Sequence, residues 1–137
     1  MRRRRSTATS TYRRVPASAP ASVRTKRSPL ANHWAARLAE EKHAQQITVL
    51  DMRQVSGVTD YFVICNGDSA RQVQAIADHI SDGARERSRR VWHMEGYQDA
   101  QWVLLDCGDV VVHVFHPAAR VFYGLEQLWG DVPRATL

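Results

Sequence analysis

The stretch WVLLDCGDVVVHVF, residues 102–115, decides how this sequence folds. Two runs of mostly aliphatic residues flank a short polar segment that contains a glycine, and this pattern predicts a β-hairpin. If Cys107 and Gly108 form a two-residue loop, Trp102 lies opposite His113. Strand alternation then assigns every side chain of the hairpin to one of two faces.

The two predicted faces of the hairpin have different compositions. One is wholly aliphatic and suited to burial beneath helices: Val103, Leu105, Val110, Val112 and Val114. The other carries an indole, an imidazole and two carboxylates among aliphatic groups: Trp102, Leu104, Asp106, Asp109, Val111 and His113. Burying two like charges side by side is costly, so we expect this second face to point outward.

A tryptophan among aliphatic residues with acids at the rim is typical of a docking surface for a basic protein. We therefore predict that the second face binds a partner. Two alternatives are an ordinary solvated sheet face and a face hidden under the N-terminal helix.

Periodicity upstream of the hairpin predicts three further strands and two helices. Strands are expected at residues 47–52, 61–66 and 91–95, and the second is apolar on both faces, which indicates a central position. An amphipathic helix precedes them, with Asn32 as its candidate N-cap. Ser69 and Gln72 have the spacing of a capping box at the start of a second helix. Its predicted buried stripe is Val73, Ile76, Ala77, Ile80 and Ala84.

A third helix follows the hairpin, because Pro117 suits the first position of a helix. Its predicted buried stripe is Val121, Leu125, Leu128 and Trp129. The order helix, strand, strand, helix, strand, hairpin, helix predicts an α/β fold with one mixed sheet of about five strands and flanking helices. We expect a single domain over residues 30–131 and a short C-terminal tail over residues 132–137.

Residues 1–29 have a different composition, with eight Arg, one Lys and no acid. They lack helical or strand periodicity and are predicted to be a disordered basic tail. An organelle transit peptide and an RNA-attachment segment are alternatives. The remaining residues contain ten basic and fourteen acidic side chains, which gives a net charge of −4. This balance favours a basic partner and argues against a domain whose surface grips phosphate.

The sequence offers little support for catalysis or metal binding. Cys65 and Cys107 lack a neighbouring thiol or base, and His113 and His116 fall on opposite faces of a strand. A loose set of acids could in principle hold Mg²⁺ for nucleotidyl transfer: Asp51, Asp60, Asp106 and Asp109. We predict no catalytic residue, no metal and no cofactor, and no membrane-spanning segment.

Five ordered motifs resemble the ribosomal silencing factor family RsfS, also called the Iojap family. They are TDYFVIC (59–65), SARQVQAIAD (69–78), EGY (95–97), WVLLDCGDVVVHVF (102–115) and RVFYGLEQLW (120–129). The resemblance covers residues 30–131. It implies a nucleotidyltransferase-like fold without the active site, and a non-enzymatic factor that binds the L-fourteen protein of the large ribosomal subunit.

By blocking subunit joining, such a factor would repress translation when nutrients are scarce, in the bacterial cytoplasm. Organellar relatives would assist assembly of the large subunit, with import through the basic N-terminus as the alternative location. The family's partner surface maps to Trp102, Asp106, Cys107 and Asp109. Cys107 departs from the bulky residue expected at the tip, which would change affinity. A homodimer of the free protein is also expected from the resemblance, and sequence-specific nucleic-acid binding is not.

Overall fold

The computed structural model describes residues 29–55, 57 and 59–137, so the predicted basic tail lies outside the described residues apart from Pro29. In chain order the elements are a 3₁₀ turn at Pro29–Asn32, α1 (Trp34–Glu41), β1 (Gln45–Asp51), β2 (Tyr61–Asn66), α2 (Ala70–Glu86), β3 (His93–Glu95), β4 (Trp102–Asp106), β5 (Val110–Phe115), α3 (Pro117–Tyr123), α4 (Leu125–Leu128) and β6 (Arg134–Thr136). The predicted order of elements is confirmed, with β6 as an addition.

The strands form one mixed sheet of six strands in the order β3-β4-β5-β2-β1-β6. Strands β2 and β5 pair in parallel, and the other neighbours are antiparallel. The apolar strand β2 is central, as predicted. The expected tail over residues 132–137 is wrong, because Arg134–Thr136 pairs with β1. A strand of three residues carries too little alternation to be recognised in a sequence.

Helices α1 and α2 cover one face of the sheet. The predicted stripe of α2 and the aliphatic face of the hairpin are fully buried together in this layer. At the start of α2, Ser69 Oγ accepts a hydrogen bond from the Gln72 amide at 3.1 Å, as predicted. The predicted cap of α1 is wrong: His33 caps this helix through Nδ1, which accepts from the Ala35 amide at 3.2 Å, while Asn32 lies in the 3₁₀ turn.

Helices α3 and α4 cover only part of the opposite face. Beneath them a smaller core contains Leu50, Met52, Ile64, Phe115, Ala119 and Val132. Towards the hairpin tip this face carries Leu104, Asp106 and Val111, which remain partly exposed. The second face of the hairpin is therefore neither hidden by the N-terminal helix nor fully covered by the C-terminal ones.

Candidate docking surface

The hairpin has the predicted faces with a shifted register. Leu104 pairs with His113, and the Cys107 amide donates to the Val110 carbonyl at 2.9 Å, so Gly108 and Asp109 form the loop. Gly108 has a φ of 87°, and a glycine at the first of two loop positions is a preferred way to connect a hairpin. The pairing thus differs by two residues from the predicted one. Because side chains alternate with a period of two, every strand residue keeps its predicted face.

The two acids at the tip do not lie side by side. Asp106 Oδ1 accepts a hydrogen bond from the Gly108 amide at 2.9 Å. Asp109 lies in the loop, where alternation does not fix its direction, and it pairs with Arg89 at 2.9 Å. The Arg89 guanidinium also lies over the ring of Trp34 in α1, so Asp109 belongs to the helix side. The prediction that both carboxylates share the outward face is wrong for Asp109.

Trp102 is held in place by His113. The indole Nε1 donates to His113 Nδ1 at 3.0 Å, and the indole ring packs against Phe115 and Tyr123 at centroid distances of 5.1 and 4.7 Å. Trp102 itself remains partly exposed. The tryptophan therefore presents one edge to solvent from a fixed position.

His113 lies on the predicted face, but it is not exposed there as expected. It is buried, with its ring 4.7 Å from that of Phe62, and burial lowers its pKa to about 3. The ring is therefore neutral near neutral pH, and its Nδ1 serves as the acceptor that orients Trp102. Cys107 is buried as well, and burial raises the pKa of its thiol to about 11. Neither side chain is available to a partner in this structure.

Sequence reasoning missed an apolar surface on α3 and α4. Val121 is 83% exposed, Phe122 80%, Tyr123 50% and Leu128 72%. The prediction that Val121 and Leu128 are buried is wrong, because Gly124 adopts a φ of 55° and ends α3 before α4 begins. A signal was present in the sequence. Three successive apolar residues point about 100° apart on a helix, so residues 121–123 cannot all face the sheet.

This surface continues the outward face of the hairpin through the contact between Tyr123 and Trp102. We call the combined surface the docking face. It consists of Trp102, Leu104, Asp106, Val111, Val121, Phe122, Tyr123 and Leu128. Glu95 lies at its edge, since it pairs with Leu104 across β3 and β4 and so points to the same side.

A buried arginine fixes the helices that carry the docking face. Arg120 in α3 donates through Nε and Nη2 to both carboxylate oxygens of Glu126 in α4, at 2.9 and 2.7 Å. Its Nη1 donates to Asn66 Oδ1 in β2 and to the Gln46 carbonyl, both at 2.7 Å. The hydrogen bonds from Arg120 to Glu126 lower the pKa of the Glu126 carboxyl group. One guanidinium thus ties both short helices to the sheet.

Metal-binding side chains are not brought together in the described residues. They contain no group of three or more His, Cys, Asp or Glu side chains placed to hold a metal ion. The Asp51 carboxylate is engaged by Arg53 at 2.6 Å, and burial raises the pKa of the Cys65 thiol to about 12. No helix in this part of the chain is long and apolar enough to cross a bilayer.

Comparison with known proteins gives a consistent set of relatives. The family described as "Ribosomal silencing factor during starvation", RsfS, matches residues 25–137. Ribosomal silencing factor RsfS of Bacillus subtilis (strain 168) is 54% identical over 103 residues, which cover 75% of this chain and 87% of that protein. A crystal structure of a Bacillus halodurans protein superposes with a TM-score of 0.65 at 44% identity and covers 75% of this chain and 91% of the other.

Two more distant relatives carry organellar names. Protein Iojap, chloroplastic, from Zea mays is 36% identical over 96 residues, or 70% of this chain and 42% of that protein. "Mitochondrial assembly of ribosomal large subunit protein 1" from Mus musculus is 32% identical over 95 residues, or 67% of this chain and 42% of that protein.

Proposed function

The chain belongs to the RsfS family of ribosomal silencing factors, and on that premise we propose that it binds the large ribosomal subunit through the docking face and represses translation. The proposed contact is the L-fourteen protein of that subunit. The observation that carries this proposal is the apolar surface of α3 and α4, where Val121 and Phe122 are 83% and 80% exposed next to Tyr123, which packs against Trp102. Clustered large apolar side chains on a protein surface mark a site that another molecule covers.

The docking face has the properties of a protein-binding surface. Three of its eight residues are aromatic, and aromatic residues dominate the energetics of interfaces. The acids Asp106 and Glu95 lie on the same side of the sheet and would attract a basic ribosomal protein, which raises the association rate more than the affinity. The Arg120 network holds the helices in one arrangement, so little conformational freedom is lost on binding.

The mechanism that follows is occupancy. A folded domain bound where the two ribosomal subunits meet excludes the small subunit, and no chemical step is needed. Translation falls in proportion to the large subunits that are occupied, which suits a response to nutrient limitation in the bacterial cytoplasm. The same apolar face would be covered in the free protein if two copies paired through it, and we propose such a homodimer as the unbound state.

A second candidate function is assembly of the large subunit in an organelle. It is favoured by the name of the mouse relative and by the Arg-rich composition of residues 1–29, which suits an import signal. Both functions use the same docking face. Microscopy of the tagged full chain separates them, because an organellar location would contradict a bacterial silencing role.

Sedimentation of purified ribosomal subunits in sucrose gradients tests the silencing proposal. The full chain should migrate with the large subunit and lower the yield of joined ribosomes. Val121→Ser should weaken both effects, whereas the matched control Val55→Ser should not. Val55 is 51% exposed and lies in the loop after β1, at the opposite end of the sheet from α3. A chain that remains at the top of the gradient would refute the proposal.

The main competing proposal is an enzyme, a divergent nucleotidyltransferase. Calorimetry with a nucleoside triphosphate and Mg²⁺ addresses it directly. Binding heat that disappears in Asp106→Asn would favour the enzyme, whereas the docking proposal predicts no heat in either protein.

A further inference from the structure

A second surface with different chemistry lies on the helix side of the sheet, at the end of α2. Residues 85–90 read RERSRR, and all six are exposed. Ser88 adopts a φ of 57° and turns the chain from α2 towards β3. Four of these residues, Arg85, Ser88, Arg89 and Arg90, line a groove of about 560 Å³ together with Trp92 and His93. The arginines of the groove come from the helix side, whereas the docking face lies on the other side of the sheet; the two surfaces meet at the β3 edge, where His93 pairs with Asp106.

Part of this basic cluster has a structural explanation. Arg85 pairs with Asp82 at 3.2 Å, and Arg89 pairs with Asp109 at 2.9 Å. Cations near the C-terminus of a helix also interact favourably with its dipole. Arg90 has no such explanation, because no carboxylate among the described residues lies within ion-pair distance of it.

Arg90 and Trp92 instead form a stacked pair. The Arg90 guanidinium lies 4.1 Å from the centroid of the Trp92 ring, and Trp92 is 56% exposed. An exposed cation–π pair contributes little to folding, about 0.5–1 kcal/mol. Indole and guanidinium planes are, however, the surfaces on which unpaired bases stack.

The lining of the groove indicates the charge of its ligand. Arg85, Arg89 and Arg90 contribute guanidinium groups, Ser81 and Ser88 contribute hydroxyl groups, and no carboxylate lines the groove in the described part of the chain. Two of the three arginines are paired only with partly exposed acids, and such ion pairs are weak enough to exchange for phosphate. The groove therefore offers phosphate-binding donors next to a stacking platform.

We propose that this groove binds unpaired nucleotides of RNA, with a base stacked on Trp92 and Arg90 and phosphates held by Arg85 and Arg89. The choice of RNA rests on the proposed function, because the large ribosomal subunit is a ribonucleoprotein. The groove would supply a second, sequence-independent contact to that subunit beside the protein contact of the docking face. The binding assay for the groove contains no ribosomal protein, so a negative result in it would contradict the groove proposal and leave the docking-face proposal untested.

Fluorescence anisotropy with a labelled 12-nucleotide single-stranded RNA, measured with the full chain over a range of KCl concentrations, separates stacking from charge. Trp92→Ala should weaken binding roughly five- to a hundredfold without changing the salt dependence. Arg85→Gln, which removes a proposed phosphate contact, should reduce the slope of log K against log salt by about 0.7. An acidic protein segment as the true ligand would leave RNA binding insensitive to Trp92, which would overturn the proposal.

The matched control is Arg71→Gln, which removes an exposed arginine at the other end of α2, about 21 Å away along the helix. All variants keep the Arg-rich residues 1–28, so background binding by that segment is common to them. Groove variants that bind within twofold of the control would overturn the proposal. Cross-linking to 4-thiouridine RNA gives a second measurement. Adducts on Trp92, located by fragmentation of the tryptic peptide of residues 91–120, would support it, and adducts confined to residues 1–28 would overturn it.

Discussion

Truncation of Phe122 to alanine isolates the contribution of the docking face. Phe122 is 80% exposed, and a phenylalanine presents on the order of 200 Å² of surface, so about 160 Å² is available to a partner. At about 25 cal/mol per Å², complete burial would contribute about 4 kcal/mol. Alanine keeps part of that area and an interface rarely covers a side chain completely. We therefore expect a loss of about 2 kcal/mol, or about 30-fold in Kd.

The same exposure makes this substitution a clean test. Removing an exposed ring should change the free energy of unfolding by less than about 0.5 kcal/mol, so a weaker complex would not reflect a damaged fold. Biolayer interferometry with immobilised L-fourteen protein gives Kd and both rate constants. We expect most of the loss in the dissociation rate, because apolar contacts form after the encounter. Urea denaturation of the same preparation checks the fold.

Two results would refute the reasoning. The first is a Kd within threefold of that of the parent chain, which would place the partner elsewhere on the molecule. The second is an equal loss in Val55→Ala, whose side chain is also exposed but lies at the opposite end of the sheet from α3.

Three further predictions concern the parts that support this face. Arg120→Met should lower the free energy of unfolding by about 3 kcal/mol, measured in urea, because the Glu126 carboxylate and other acceptors lose their partner. His113 has a pKa of about 3 in the folded chain and an ordinary value of 6.5 when unfolded, so its contribution to stability is complete above pH 6.5 and is lost as the pH falls towards 3. His113 alone should therefore lower the stability by about 1 kcal/mol per pH unit between pH 5.5 and 4, and His113→Gln should remove that part of the slope in acid titration followed by circular dichroism. Gly96→Ala should destabilise the chain by about 2 kcal/mol or more in thermal melts, because Gly96 has a φ of 81° and a Cβ there would overlap the carbonyl oxygen of Trp102; a melt unchanged from the parent would contradict this.

The sequence predicts the structure correctly where the periodicity of apolar residues determines which side chains are buried. The two faces of the hairpin and the buried stripe of α2 follow from periods of 2 and 3.6 residues, and both are confirmed. The predicted loop, Cys107 and Gly108, begins one residue before the observed loop, Gly108 and Asp109. That error moved the pairing by two residues and left every strand side chain on its predicted face, because the alternation has a period of two. Family membership came from the five motifs, which periodicity alone could not have named.

The predictions are wrong where a contact between two separate elements determines the position of a side chain. The sequence shows His113 on the outward face, but it cannot show that the Trp102 indole donates to its ring and covers it. Asp109 left the predicted face because Arg89, twenty positions away, draws it to the helix side. The net charge of −4 over residues 30–137 is an average, and it does not show the basic run at residues 85–90.

The C-terminal helices show how one polar residue can make an apolar surface available. On a helix that continued through Gly124, the stripe of Val121, Leu125 and Leu128 would face the sheet, as the periodicity predicted. In the structure Arg120 occupies the buried position of α3 instead, and its bonds to Glu126 and the sheet hold the helices with Val121 and Leu128 outward, while Leu125 packs against the smaller core. Turning those side chains inward would bury apolar area, but it would also break the ion pair and leave a charge without its partner, which costs several kcal/mol. The buried arginine thus favours an exposed docking face, and Arg120→Met should weaken partner binding as well as the fold.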